Sequence, residues 1–449
     1  MNKSGFVEKM RSLFSNEKFN LYWTFSILLI VFYVQSDAML FNLNSKMRIV
    51  EFAILFVVLA FCLIRCVFLK IKLFNFKNYF FKRTLFLVGL FLISFLFNLT
   101  NTFNIHRYFI QIFNIGLSYI ILCSLDVQLM KKHFIYIITV FAFLSLITFS
   151  IYKLNENVLS FFPVVTNSAG FKFNFTGFSF LQIRTESGIT RRNFGIFREP
   201  GVYGVFLIFA LVILLFDNLK YKYKYFKIIS IIIVLLTIYT TYSTTTIIAA
   251  IGVLMTKFFT VKCPLAVKIL RFILLAACIA FAVVVVFFPE ELKKSEVLFK
   301  IFGKFNFKNG SFSSRYFDTI STLCAFLANP LFGVGFGGLH THIEAIASAF
   351  NAPTNGGINS ILQVFAVHGI IFGFLIYYAL FECLSSIAKT ESYFFFFLIF
   401  SFFICLFNED LCNSLFFFLI ALSGLSQKEL ILFGKSSAKE VHTNVPSET

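Results

Sequence analysis

The sequence predicts an all-α polytopic integral membrane protein of about twelve transmembrane helices, with two long extracytoplasmic loops containing short amphipathic helices. Three observations predict it. Hydrophobic residues make up 59% of the 449 positions, apolar runs recur from one end of the chain to the other, and the basic residues fall in small groups between those runs. Such a chain cannot close an ordinary water-soluble core, and it satisfies its backbone by crossing a bilayer as helices. The formal charge of +18 then reads as a set of topology signals. It does not read as a groove for nucleic acid, because the cations alternate with spans and do not line one face. The 70 Phe are spread through nearly every run, so they reflect composition and not a ligand surface.

Residues 1–20 are basic and lead into the first run without a small-residue cleavage site, the pattern of an uncleaved signal anchor. Runs of roughly 17 to 25 residues, some shorter, suffice to cross. They fall near 21–40, 48–69, 84–99, 108–125, 133–152, 200–216, 226–242, 244–260, 268–288, 360–384, 393–408 and 411–427. The stretch from 226 to 260 reads as two spans because the hydroxyl-rich segment from Thr240 to Thr246 interrupts it. Positive charge is retained on the cytoplasmic side. With the N-terminus inside, the inner connections carry most of the interspan Lys and Arg, whereas the short outer ones hold only Lys46, Arg48 and Arg107. Both termini are therefore expected in the cytoplasm. The chain is then a single membrane domain, 1–449, with outer loop one at 153–199, outer loop two at 289–359 and a cytoplasmic tail at 428–449.

The inner loops are short and carry no Walker-type glycine loop. Any reaction must draw on an already activated substrate, and its residues belong to the outer loops. Loop one is Arg-rich, with Arg184, Arg191, Arg192 and Arg198 set against the run that opens at Pro200. Cations beside hydrocarbon are costly unless solvated or paired. Proline favours the first turn of a helix, so an outward-facing helix N-terminus adds its free amides and positive dipole end to Arg198. Guanidinium forks bind phosphate oxygens bidentately, and the expected ligand is a lipid-linked diphosphate. Gly201 and Gly204 would allow close approach to the start of this helix.

Loop two opens with a Lys-rich segment and continues through Ser313, Ser314, Arg315 and Tyr316 to Asn329, with Ile320, Leu323 and Leu327 at helical spacing. The pattern predicts an amphipathic helix on the membrane surface. Pro330 and the glycines from Gly333 to Gly338 break it. His340, His342 and Glu344 follow. A strand would put both histidines on one face and a helix would separate them. A metal site needs three or four ligands, so the expected role of His340 and His342 is to orient an acceptor or act as general base, with plain surface histidine as the alternative. His368 lies inside the next run, where an interhelical hydrogen bond is expected. Of nine cysteines only Cys324 falls in a long outer loop, so no disulfide framework is expected.

Phe197-Arg198-Glu199-Pro200-Gly201 opening a helix, Arg315 ahead of Asn329-Pro330-Leu331-Phe332-Gly333-Val334-Gly335-Phe336-Gly337, and Asn359-Ser360 through Gln363 to His368-Gly369-Ile370 resemble the O-antigen polymerase and ligase superfamily, closest to its Wzy-type polymerases. The topology covers most of the chain, and the specific motifs fall at about 184–204 and 313–373. The resemblance implies an enzyme of the inner membrane with its active site on the periplasmic side. Its donor and acceptor are undecaprenyl-diphosphate-linked glycans, and a growing chain passes onto the non-reducing end of a new repeat unit. Arg198 and Arg315, supported by Arg184, Arg191 and Arg192, then bind the leaving diphosphate. Glu199 is a reserve base, and Asn359 positions the acceptor. Many lipid-sugar glycosyltransferases use an acidic motif and a metal in the first outer loop. Here that loop has only Asp37, so transfer without metal or other cofactor is expected. A separate chain-length-regulating membrane partner is also implied. Ligases of the superfamily often carry a His-Asn pair where this chain has Ile358-Asn359, which favours polymerase over ligase. A flippase or other transporter is the third reading. It would concentrate polar residues at mid-membrane depth, and here they concentrate in the outer loops.

Overall fold

The computed structural model describes residues 3–35, 45–99, 105–155, 158, 161–166, 172–183, 192–260, 264, 269, 310–350, 359–388, 395–407 and 409–426. The expected span at 268–288 apart from residue 269, the Lys-rich opening of loop two, the tail at 428–449, and Arg184 and Arg191 lie outside them. In chain order the helices are α1 (Lys3–Ser15), α2 (Glu17–Gln35), α3 (Ser45–Phe68), α4 (Tyr79–Phe97), α5 (Ile105–Ser124) and α6 (Val127–Leu154). Strands β1 (Val164–Thr166), β2 (Lys172–Phe175) and β3 (Phe180–Gln182) follow. Next come α7 (Pro200–Phe216), α8 (Phe226–Thr241), α9 (Thr244–Thr260), α10 (Gly310–Ala328), α11 (Gly335–Phe350), α12 (Ser360–Ala388) and α13 (Phe395–Phe407), and last α14 (Leu415–Ser426). A helix stands at each expected span whose residues are described. Among the described residues five, α3 to α6 and α12, are long and apolar enough to cross a membrane, and α7, α8, α9, α13 and α14 are shorter apolar helices.

Helix α7 is the axis of the bundle. Every residue from Pro200 to Leu214 is buried, as expected of a helix apolar all round, and α6, α8, α9, α12 and α13 pack against it. Gly204 lets α9 come close: a Cβ there would stand 1.9 Å from Thr246 Oγ1 of α9. Tyr242, at φ 48, makes the left-handed turn that separates α8 from α9, so the stretch is two helices, as the hydroxyl-rich segment predicts. Below α7, Lys131 of α6 donates to Asp217 at 2.8 Å, with side-chain exposures of only 9% and 5%. Removing one partner of a buried pair strands the other charge, at a cost of about 3–5 kcal/mol. Lys131→Ala should therefore lower the thermal midpoint of the detergent-solubilised protein markedly, while Lys131 and Asp217 replaced together by Met and Leu should recover most of it.

Two features depart from the expected loops. Loop one carries a three-stranded antiparallel sheet, β1-β2-β3, with Val164 opposite Asn174 and Phe173 opposite Gln182. Phe173 and Phe180 pack against Phe194, and Phe180 N–H donates to Gly195 O at 2.7 Å. Helix α10 forms where the amphipathic helix was expected, but its polar side is the inner one. Ser314, Asp318, Ser321 and Thr322 are buried while Leu323 and Leu327 are exposed. That is the arrangement of a helix packed on α11 and α12 with much of its polar side turned inward.

The segment Pro330–Gly335 interlocks with a break in α12. Val334 N–H donates to Ala366 O and Ile370 N–H to Pro330 O, both at 2.8 Å. Gly333 and Gly369 have φ of +73 and +82, and a Cβ on either would stand 2.3 Å or less from a backbone carbonyl oxygen of the other segment. Only glycine meets both conditions.

Candidate functional site

The N-terminal end of α7 gathers charge from three parts of the chain. The loop before it is nailed down by Asn193, which is fully buried. Its amide donates to Ser145 Oγ at 3.1 Å and Thr240 Oγ1 at 3.0 Å, and its carbonyl accepts from Gly195 N–H at 3.0 Å. Beside it, Arg192 donates through Nη2 to Tyr242 O at 2.8 Å, which ties the loop to the α8–α9 turn. Arg198 and Glu199 come next, their closest charged atoms 3.9 Å apart and each side chain about one-third exposed. Glu199 is also the N-cap residue of α7, in extended backbone and without a side-chain cap bond. Arg315 enters from the first half of α10.

The fifth member is Glu409, in the turn between α13 and α14. Its side chain lies over Gly201: a Cβ there would be 1.7 Å from Glu409 Oε1. The turn is clamped from the start of α12. Ser360 N–H donates to Glu409 O at 3.0 Å and Ser360 Oγ–H donates to the same oxygen, while Leu411 N–H donates to Ser360 Oγ at 2.7 Å. Glu409 is 2% exposed, and its Oε2 makes no hydrogen bond among the described residues. Burial, with the charge of Glu199 added, pushes its carboxyl up to about 8 against the pull of Arg315, Arg198 and Arg192. Burial and the nearby charge of Arg315 pull Arg192 below the usual arginine value, with Glu409 and Glu199 acting the other way. Three guanidiniums against two carboxylates leave the cluster positive.

Of the residues singled out by sequence, Arg192, Arg198, Glu199 and Arg315 are thus electrostatic neighbours at one end of α7, and Arg184 and Arg191 lie outside the described residues. Asn359 caps α12, its Oδ1 accepting from Leu362 N–H at 3.1 Å. It is buried, and Thr319 of α10 lies 3.5 Å from its amide nitrogen. It borders the site through Ser360. His340 and His342 stand on α11, where residues two apart point about 200° away from each other; the helical alternative holds and they share no face. His340 Nδ1 is 3.3 Å from Glu344 Oε2 in an exposed pair. His368 has the interhelical bonds expected of it: Nε2–H donates to Gln111 Oε1 at 2.8 Å and Nδ1 lies 3.3 Å from Ser94 Oγ.

Sequence reasoning missed Glu409. The available signal was an acidic pair, Glu409-Asp410, set between two Phe-rich runs, where charge needs a reason as much as it does at Arg198.

Residues 229–378 match the family model described as O-antigen ligase. This is consistent with the O-antigen polymerase and ligase superfamily, to which the short motifs point. The matched stretch runs from α8 into α12 and includes Arg315 and the Gly333–Gly369 interlock; Arg192, Arg198 and Glu409 lie outside it. No curated protein matches the chain. Fold and match together show a mostly helical protein with several helices long and apolar enough to cross a membrane, about a third of which is similar to the O-antigen ligase family.

Proposed function

We propose that this chain is a membrane glycosyltransferase that polymerises undecaprenyl-diphosphate-linked repeat units into O-antigen at the periplasmic face of the inner membrane, with both termini in the cytoplasm. One observation carries the reading: Arg192, Arg198 and Arg315 all act by charge on Glu409, whose carboxylate lies over Gly201 at the start of the buried helix α7. Free helix amides and guanidinium forks are complementary to a diphosphate. Transfer of a glycan from such a donor breaks a bond to phosphate, so the largest charge to develop is on the leaving group, and fixed donors in a dry site stabilise it. Three permanent cations do this work without a metal ion, whose own charge they would repel. Arg184 and Arg191 extend the site toward the surface. Asn359, with the half-buried His340 and His342, orients the acceptor, and a separate membrane partner sets chain length.

The description of the matching family favours ligation as a second reading. Lipopolysaccharide from cells lacking the protein separates the two on a gel. Core bearing a single repeat unit, restored to a ladder by the unmodified chain, is the expected pattern. Core with no repeat at all would overturn it. Lipid-linked polymer outside the membrane would then indicate ligation, and its absence there would indicate export.

A further inference from the structure

We infer that the Glu409 carboxylate is the proton acceptor of the transfer, a catalytic residue that takes the hydroxyl proton of the acceptor sugar while Arg192, Arg198 and Arg315 hold the donor diphosphate. The inference rests on the polymerase reading and adds the one group that reading lacks, since a sugar hydroxyl is a weak nucleophile until its proton is taken.

Geometry singles this carboxylate out. Oε2 is buried without a hydrogen-bond partner among the described residues, a costly state for a carboxylate oxygen and one that calls for an explanation. An incoming hydroxyl would supply the missing donor. The turn is held at Glu409: Ser360 binds the Glu409 carbonyl from α12, and Gly201 leaves room for the side chain where any other residue would displace it. Its neighbours are those a transfer site needs. Arg192, Arg198 and Glu199 face it from the segment before α7, Arg315 from α10 and Cys405 from α13, with Asp410 next in the turn. Arg198 and Glu199, about one-third exposed, act on this buried group by charge. The histidines are placed less well: His340 pairs with Glu344 at an exposed edge, and His368 is engaged with Gln111 inside the bundle.

The step balances. The acceptor O–H bond breaks and its proton passes to Glu409 Oε2. The oxygen forms a bond to the anomeric carbon of the donor, whose bond to the diphosphate oxygen breaks. The electron pair leaves on the diphosphate beside the three arginines. Glu409 returns its proton to water when the polymer moves on. A carboxyl held near 8 loses its proton as pH rises, so the rate should climb through that value and level off above it.

The test uses the full chain in nanodiscs with lipid-linked repeat unit isolated from cells that lack the protein. Glu409→Gln keeps the shape and should lower kcat by roughly 10²-fold or more, leave KM within about threefold and abolish the alkaline rise. A Glu409→Gln chain whose kcat stays within about threefold of the unmodified one, with the rise intact, overturns the inference. Should that variant fail to fold, Glu409→Asp serves: a lower kcat with a displaced rise supports the inference, and an unchanged profile overturns it. If Arg315→Ala is inactive while Glu409→Gln is not, the base assignment fails and the polymerase reading stands. If the unmodified chain makes no polymer at any pH, the polymerase reading itself fails.

Discussion

Arg315→Ala should reduce polymer formation by about 10²–10³-fold, the usual cost of removing one fixed donor from a developing oxyanion, with the protein still present in membranes at its normal level. The residue enters from α10, more than one hundred positions from Arg192 and Arg198 in sequence, and its charge is among those acting on both Arg192 and Glu409. Removing it leaves a fold whose core is α7 intact. Arg315→Lys should recover only part of the loss, because an ammonium gives a point charge where a guanidinium gives a fork. Polymer length and yield on a gel, at matched protein levels, measure both variants.

Gly201→Ala should be nearly as damaging, although it adds a single methyl. The new Cβ would stand 1.7 Å from Glu409 Oε1 and 2.5 Å from its carboxyl carbon, so the carboxylate must leave its seat over the start of α7. Overpacking of this kind costs about 1–3 kcal/mol in stability, and a displacement of about an ångström at a reacting group costs about 10²-fold in rate. Gly204→Ala is the control: its Cβ meets Thr246 of α9, so it should lower thermal stability more than it lowers turnover in the protein that remains folded.

The membrane-crossing framework was legible because a long apolar run has few alternatives to a helix, and the positions of α7, α8 and α9 follow from Pro200 and the hydroxyl-rich stretch before Thr246. Arg192, Arg198 and Arg315 were legible for the opposite reason, as charges set where charge is expensive. Glu409 was not, because its partners are Gly201 and Ser360, positions remote in sequence that a local reading cannot join to it. Strands of three and four residues in loop one are too short to show a period. The inward polar face of α10 was hidden too, since spacing reveals that a helix has two faces and not which one turns to the bundle. Gly333 and Gly369 read separately as a turn and a span interior; only the fold shows that each leaves room for the other's backbone.

The most direct measurement is turnover by the purified chain in nanodiscs, given lipid-linked repeat unit as both donor and acceptor. A ladder of lipid-linked polymer from the unmodified protein, lost with Arg198→Ala or Arg315→Ala, is the predicted result. No polymer from any form, together with transfer of preformed glycan onto lipid A core when that acceptor is added, would contradict it.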